Sequence, residues 1–177
     1  MRPAPGTATL DGVKRDERLV RLSWDHHHGL VMARRIAREL PGASDEAFGR
    51  LYADLLAFWA AGLLPHFRAE NECLLARLVR HLAPGHEAVA RTQRDHLDIE
   101  ALVAVMRDTT DPAVRRDALA DFGRRLRDHI RWEEAVLFAE AERSLTGREL
   151  DNLGEELSER LPGVVAAPSP GEKPISQ

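Results

Sequence analysis

The chain has 177 residues, 44% of them hydrophobic and 31% charged, with a formal net charge of −4. That length and balance fit one domain with a sizeable core and exclude a wholly disordered or fibrous chain, while the mild acidity gives no reason to expect nucleic acid as a partner. A single cysteine, Cys73, excludes an intrachain disulfide framework and any CxxC motif. The longest uncharged stretch in the body, residues 55–67, is too short for a membrane span, and no apolar leader stands at the N-terminus, so a cytoplasmic domain is expected.

Alanine and leucine dominate the apolar set and β-branched residues are few, which predicts helix. Pro3, Pro5, Gly6 and Gly12 mark residues 1–15 as a loose arm. A first helix is predicted over about residues 16–40, stopped by Pro41-Gly42. Its apolar stripe runs Leu19, Leu22, His26, Gly29, Ala33, Ile36 and Leu40, which puts a histidine in mid-face. Within the run His26-His27-His28 the stripe selects His26, with His27 next, about 100° round the helix. Ser44 is an N-cap for a second helix reaching about residue 82, where Pro84-Gly85 ends it. Gly62 and Pro65 lie inside it and predict a kink near residues 61–65, because Pro65 cannot donate a hydrogen bond. The stripe here is Leu56, Trp59, Leu63, His66, Glu70 and Leu74.

The third helix, about residues 86–108, offers Val89, Gln93, His96, Val103 and Met106, with Ile99 or Glu100 between. Asp111-Pro112 opens a fourth over about residues 112–143, with Leu119, Phe122, Leu126, His129, Glu133, Val136 or Leu137, and Glu140 facing inward. Thr146 and Glu149 form a capping box for a short fifth helix with the stripe Leu150, Leu153, Leu157 and Leu161. Residues 162–177 read as a tail. The expectation is an all-α, up-down-up-down four-helix bundle with a short C-terminal fifth helix, spanning residues 16–161.

Each long helix therefore points one histidine into the core, and the second and fourth add a glutamate one turn later. A lone core histidine is ordinarily a hydrogen-bonded structural residue. Chance predicts fewer than one His-xxx-Glu pair in this composition, yet three occur: His66/Glu70, His96/Glu100 and His129/Glu133. Four imidazoles and two carboxylates in an apolar core would cost several kcal/mol unless paired or bound to metal. Convergence on metal satisfies all six together, and imidazole with carboxylate suits iron, manganese or zinc. Glu100 reads as a ligand, an acceptor behind an imidazole, or more simply a solvated residue. Glu72 and Glu134 read as surface charges or such acceptors. His81 and His86 look ordinary, Cys73 reads as a small buried hydrophobe, and Trp24, Trp59 and Trp132 read as core packing. One geometric strain stands out. From residue 42, His26 lies 16 residues back and His66 24 forward, a mismatch of about 12 Å for level, straight helices. A second helix that starts lower and bends at Gly62/Pro65 would absorb it.

The combined pattern resembles the hemerythrin-like (HHE cation-binding) family, through DHHHGL around His26, PHFRAENE around His66, RDHLDIE around His96 and HIRWEE from His129. The resemblance covers about residues 16–143. It implies a centre of two non-haem iron ions, with His26, His66, His96 and His129 as nitrogen ligands and Glu70 and Glu133 as bridging carboxylates; zinc or manganese would also suit. Respiratory hemerythrins pair histidines on the third helix and bridge with an aspartate on the fourth. Lacking both, this chain fits the cellular subgroup better than an oxygen carrier. The expected function is binding or sensing O2, peroxide, nitric oxide or iron itself, with a small ligand as partner and neither nucleic acid nor membrane. The alternatives are a di-iron oxidase or peroxide-consuming enzyme, and a structural or signalling bundle holding zinc. Ferritin-like enzymes use Glu-x-x-His, and no histidine here has a glutamate three residues before it.

Overall fold

A computed structural model describes residues 16–161, and among these there are five helices and no strand. They are α1 (Val20–Glu39), α2 (Asp45–Leu78), α3 (Glu87–Asp108), α4 (residues 112–144) and α5 (Gly147–Arg160). The arm at residues 1–15 and the tail at 162–177 lie outside the described residues. The starts follow from local chemistry. Ser44 accepts from the Ala47 amide at 3.2 Å, Asp111 from the Ala113 amide at 2.8 Å ahead of Pro112, and Thr146 and Glu149 close a reciprocal capping box. His86 caps α3, its Nδ1 accepting from the Ala88 amide at 3.3 Å. Gly42 and Gly85 take the left-handed conformations, φ 73° and 76°, that reverse the chain after Pro41 and Pro84.

The disturbance expected at Gly62/Pro65 takes the form of a π turn. Residues Trp59–Leu63 are wound wider than an α-helix, with the Leu64 amide donating to the Trp59 carbonyl five residues back, just before the proline that cannot donate. Two further π segments, Glu70–Leu75 in α2 and Glu133–Leu137 in α4, had no signal in the stripes. Most of the length mismatch is absorbed before Pro65. Arg35 pairs with Asp54 at 2.7 Å, and these lie seven residues back and twelve forward of residue 42, so α2 starts well below the end of α1. From that pair, His26 is nine residues away and His66 twelve, and the first π turn falls within this longer stretch.

Contacts between consecutive helices run in opposite order. Arg35 meets Asp54 and Asp25 meets His66; Tyr52 donates to the Met106 carbonyl while Asn71 meets His96; Asp98 meets Arg125 while Asp95 meets His129. Helices α1 and α4 close the circle at small residues. A Cβ on Gly29 would stand 2.6 Å from Ile130 Cδ1, and one on Gly123 3.0 Å from Ile36 Cγ2.

Two apolar clusters fill the interior. One joins Leu22, Leu74, Leu78, Leu137 and Phe138 to the α5 stripe Leu150, Leu153, Leu157 and Leu161, as expected for a docked fifth helix. The other joins Leu30, Ile36, Leu55, Trp59, Phe67, Ile99, Phe122 and Leu126. The polar residues at positions 26, 66–70, 96 and 129–133 fall between them. Three inward assignments need correction. Gln93 is exposed and Thr92 is buried in its place, its hydroxyl donating to the Ala88 carbonyl at 2.9 Å. Trp24 is 45% exposed rather than packed in the core. Leu55, not the half-buried Leu56, is the fully buried leucine of that turn. Trp59 is buried, edge-on to Phe67 and Phe122, and Trp132 is half-buried beneath the Arg91 guanidinium. Helix α2 is long and apolar enough to cross a bilayer by length and composition, yet its middle carries His66 and Glu70, both turned onto the neighbouring helices.

The Gly123 contact includes the branch point of Ile36, Cβ at 3.3 Å, which cannot swing away as a chain end can. Gly123→Leu is expected to lower the unfolding free energy by about 1–3 kcal/mol in urea titrations, with partial recovery in Gly123→Leu/Ile36→Ala.

Candidate metal centre

The six side chains singled out as candidate metal ligands meet in one place. His26 comes from α1, His66 and Glu70 from α2, His96 from α3, and His129 and Glu133 from α4, and none is more than 3% exposed. Their Nε2 atoms and carboxylate oxygens converge. His26 Nε2 lies 3.6 Å from Glu70 and 3.2 Å from Glu133; His66 Nε2 lies 3.3 Å from Glu70. Across the centre, His96 Nε2 lies 3.3 Å from Glu70 and 3.8 Å from Glu133, and His129 Nε2 lies 3.2 Å from Glu133. None of these contacts has hydrogen-bond geometry. The four Nε2 atoms and all four carboxylate oxygens are buried without a hydrogen-bond partner. Native proteins rarely leave such groups unsatisfied, least of all eight together.

The eight atoms divide into two sets of mutually close donors, His26/His66/Glu70/Glu133 and His96/His129/Glu70/Glu133, each tight enough to hold one cation. Both glutamates belong to both sets, so each can offer one oxygen to either side. Nitrogen and carboxylate oxygen are the donors that iron, manganese and zinc accept. The residues fit a pair of such cations.

The far side of each imidazole faces an acceptor. Nδ1 of His26 meets Glu134 at 2.8 Å, His66 meets Asp25 at 3.4 Å and His96 meets Asn71 at 3.2 Å, while Nδ1 of His129 faces Asp95 at 3.6 Å, near enough to pair but not hydrogen-bonded. An acceptor at Nδ1 holds the proton there and leaves the Nε2 lone pair directed at the centre. Rings complete the enclosure. Phe67 stacks on His96 at 3.8 Å and meets His129 edge-on, while Phe138 stacks on His26 at 5.2 Å. The π segments of α2 and α4 begin at Glu70 and Glu133 themselves. The wider turn carries an extra residue, so the helix can turn histidine and glutamate inward and then reset its phase to bury Leu74, Leu75 and Leu78, or Leu137 and Phe138.

The softer sequence assignments now divide. His27 is exposed, and His28 bonds the Trp24 carbonyl at 2.9 Å, away from the centre. Glu100 is half-buried and joins neither donor set. Glu72 is exposed and pairs with Arg160, whereas Glu134 is the acceptor behind His26. His81 pairs with Glu149 at 2.8 Å. Cys73 is fully buried, and burial followed by the nearby Glu156 pushes its thiol up to about 11. Sequence reasoning missed Asp25, Asn71 and Asp95. The available signal was adjacency: each directly neighbours His26, Glu70 or His96, and so sits on the same helix one position round.

Burial works against charge on these groups and the partners reverse it. For His26, desolvation is outweighed by Glu133, Glu134 and Glu70, and its affinity for a proton is raised well above the ordinary value. For His66, desolvation is outweighed chiefly by Glu70, then Asp25, and the imidazole is raised to about 9. Desolvation of Glu70 is likewise outweighed by His66, His26 and His96, which hold it well below the ordinary carboxylate range.

A family model described as hemerythrin HHE cation binding domain matches residues 18–144, the stretch that carries all four long helices. No curated protein and no solved structure matches the chain.

A divalent cation bound here must displace the proton that His66 holds in the metal-free chain. Affinity for cobalt(II) is therefore expected to rise from pH 6.5 towards about 9, with protons released on binding in calorimetry across buffers of different ionisation enthalpy. In the metal-free chain the His66 shift stabilises the fold fully below pH 6.5 and fades as pH rises through about 9. The Glu70 contribution is present above pH 4.5 and is lost as pH falls. A pH-independent affinity without proton release would contradict this electrostatic account.

Proposed function

The chain belongs to the hemerythrin HHE cation-binding domain family, and on that premise we propose that it holds two non-haem iron ions in the bundle core and binds or senses O2, peroxide, nitric oxide or iron itself. The observation that carries the proposal is the set of eight buried nitrogen and oxygen atoms, all without hydrogen-bond partners and all facing one another. His26, His66, His96 and His129 would be the nitrogen ligands, with Glu70 and Glu133 bridging. Iron with such donors supplies reversible electron transfer to small oxidants. The chain's own part is positional. The Nδ1 acceptors hold the imidazole protons away from the centre, Phe67 and Phe138 restrict water, and the π turns aim the glutamates.

A small ligand also needs a way in. A cavity of about 270 Å³ between α1, the first π turn of α2 and the end of α5 has His66 and Asp25 in its wall, with Phe58, Gly62, Pro65 and Leu161 around them. It supports access from the His66 side. The opposite order of contacts along consecutive helices supports the up-down-up-down arrangement of α1 to α4, with α5 docked across one end. A cytoplasmic setting is part of the proposal.

Anaerobic reconstitution with iron(II), followed by metal analysis and visible spectroscopy, tests the reading. The expected result is two irons per chain, nearly colourless while reduced, and an iron-dependent visible band that appears on adding O2, peroxide or nitric oxide. Glu133→Ala should hold no more than one iron and lose the band. Fewer than one iron per chain, with no band, would overturn the proposal, and two zinc ions held in preference to iron would favour the structural reading.

A further inference from the structure

The two halves of the bundle repeat one device. Helix α1 carries Arg21, Asp25 and His26, and α3 carries Arg91, Asp95 and His96 at the same spacing. Helix α2 carries His66, Arg68, Glu70 and Asn71, and α4 carries His129, Arg131, Glu133 and Glu134 at the same spacing. The geometry repeats too. Asp25 stands 3.8 Å from Arg21 and 3.4 Å from His66, while Asp95 stands 3.5 Å from Arg91 and 3.6 Å from His129. Each glutamate opens a π segment.

The acceptors form a closed ring round the bundle. The neighbour of each site residue serves the histidine of the next helix: Asp25 to His66, Asn71 to His96, Asp95 to His129 and Glu134 to His26. Three of these four are carboxylates. Asn71 is an amide, standing where Glu134 stands in the other half.

We infer that Asn71 makes the two cation positions unequal, with the His26/His66 position binding the more tightly and the His96/His129 position the more weakly. This rests on the two-cation reading above. A carboxylate on the far nitrogen draws the imidazole proton towards itself, strengthens Nε2 as a donor and adds negative charge near the cation. A neutral amide does this weakly, and with Nδ1 donating it can present only its oxygen. The His26/His66 position has two carboxylates behind its histidines, Glu134 and Asp25. The His96/His129 position has one, Asp95, because its other acceptor is Asn71. Losing an outer partner of this kind typically changes metal affinity by roughly 10–100-fold, so the second cation should be held at least about tenfold more weakly and exchange first. Asn71 is on this account a positioning residue that acts through His96.

The test is a stepwise cobalt(II) titration of the full chain, read by visible absorption and calorimetry. Repulsion between the cations would separate two steps even in a symmetric centre, so the variants carry the decision. Asn71→Asp should tighten the weaker step about tenfold and leave the tighter one in place. Glu134→Gln should weaken the tighter step and draw the two together. A general packing defect would move both steps in one direction. The inference is overturned if Asn71→Asp leaves the weaker step unchanged or shifts both equally, or if the unaltered chain binds two cobalt ions with equal affinity. Fewer than two cobalt ions in the unaltered chain would overturn the two-cation reading itself, and the inference with it.

Discussion

Six buried polar side chains in the waist of the bundle set the terms for the rest of the structure. An ion taken out of water costs several kcal/mol even after its surroundings relax, and here Glu70 and Glu133 are fully buried with four imidazoles against them. The apolar interior is accordingly split into two clusters with the polar layer between, and no large hydrophobic residue stands in for any of the six. A bundle built for stability alone would have run the leucine stripes straight through. Mutual pairing does not resolve the strain, because the Nε2 atoms and the carboxylate oxygens approach one another without forming hydrogen bonds. Two cations held inside the ring, as proposed, would supply the missing partners.

The same constraint explains the local irregularities. A helix of even pitch cannot point histidine and glutamate at one spot, stay in phase with a leucine stripe on either side, and accommodate Pro65. The three π segments lie where those demands collide, one ahead of Pro65 and one starting at each glutamate. The ring of Asp25, Asn71, Asp95 and Glu134 is the second consequence. It uses the residues next to the site on each helix to fix the histidines of the following one, so that orientation of the centre depends on how all four helices pack. Close approach of α1 and α4 at Gly29 and Gly123 serves the same end.

Much of this was legible in the sequence because helix periodicity and punctuation are local. Pro-Gly pairs, Ser44, Asp111 and Thr146 mark the ends, and counting in threes and fours selects His26 over His27 and brings the six polar residues onto inward faces. The stripes fail where the pitch changes or where a half-turn decides the outcome. Gln93 and Leu56 each lie one residue from the position that is buried, and Trp24 lies just off the face that His26 occupies. The π turns at Glu70 and Glu133 leave no mark in composition, since they arise from tertiary demand. Asp25, Asn71 and Asp95 could not be told from ordinary surface polar residues until the neighbouring helix was in place.

The central claim is that this polar layer is a container for two cations, and anomalous X-ray scattering from crystals grown with iron(II) tests it most directly. The account predicts two iron peaks enclosed by Nε2 of His26, His66, His96 and His129, with Glu70 and Glu133 lying between them. A map without iron inside that ring, with the imidazoles and carboxylates hydrogen-bonded to one another or to water instead, would contradict it.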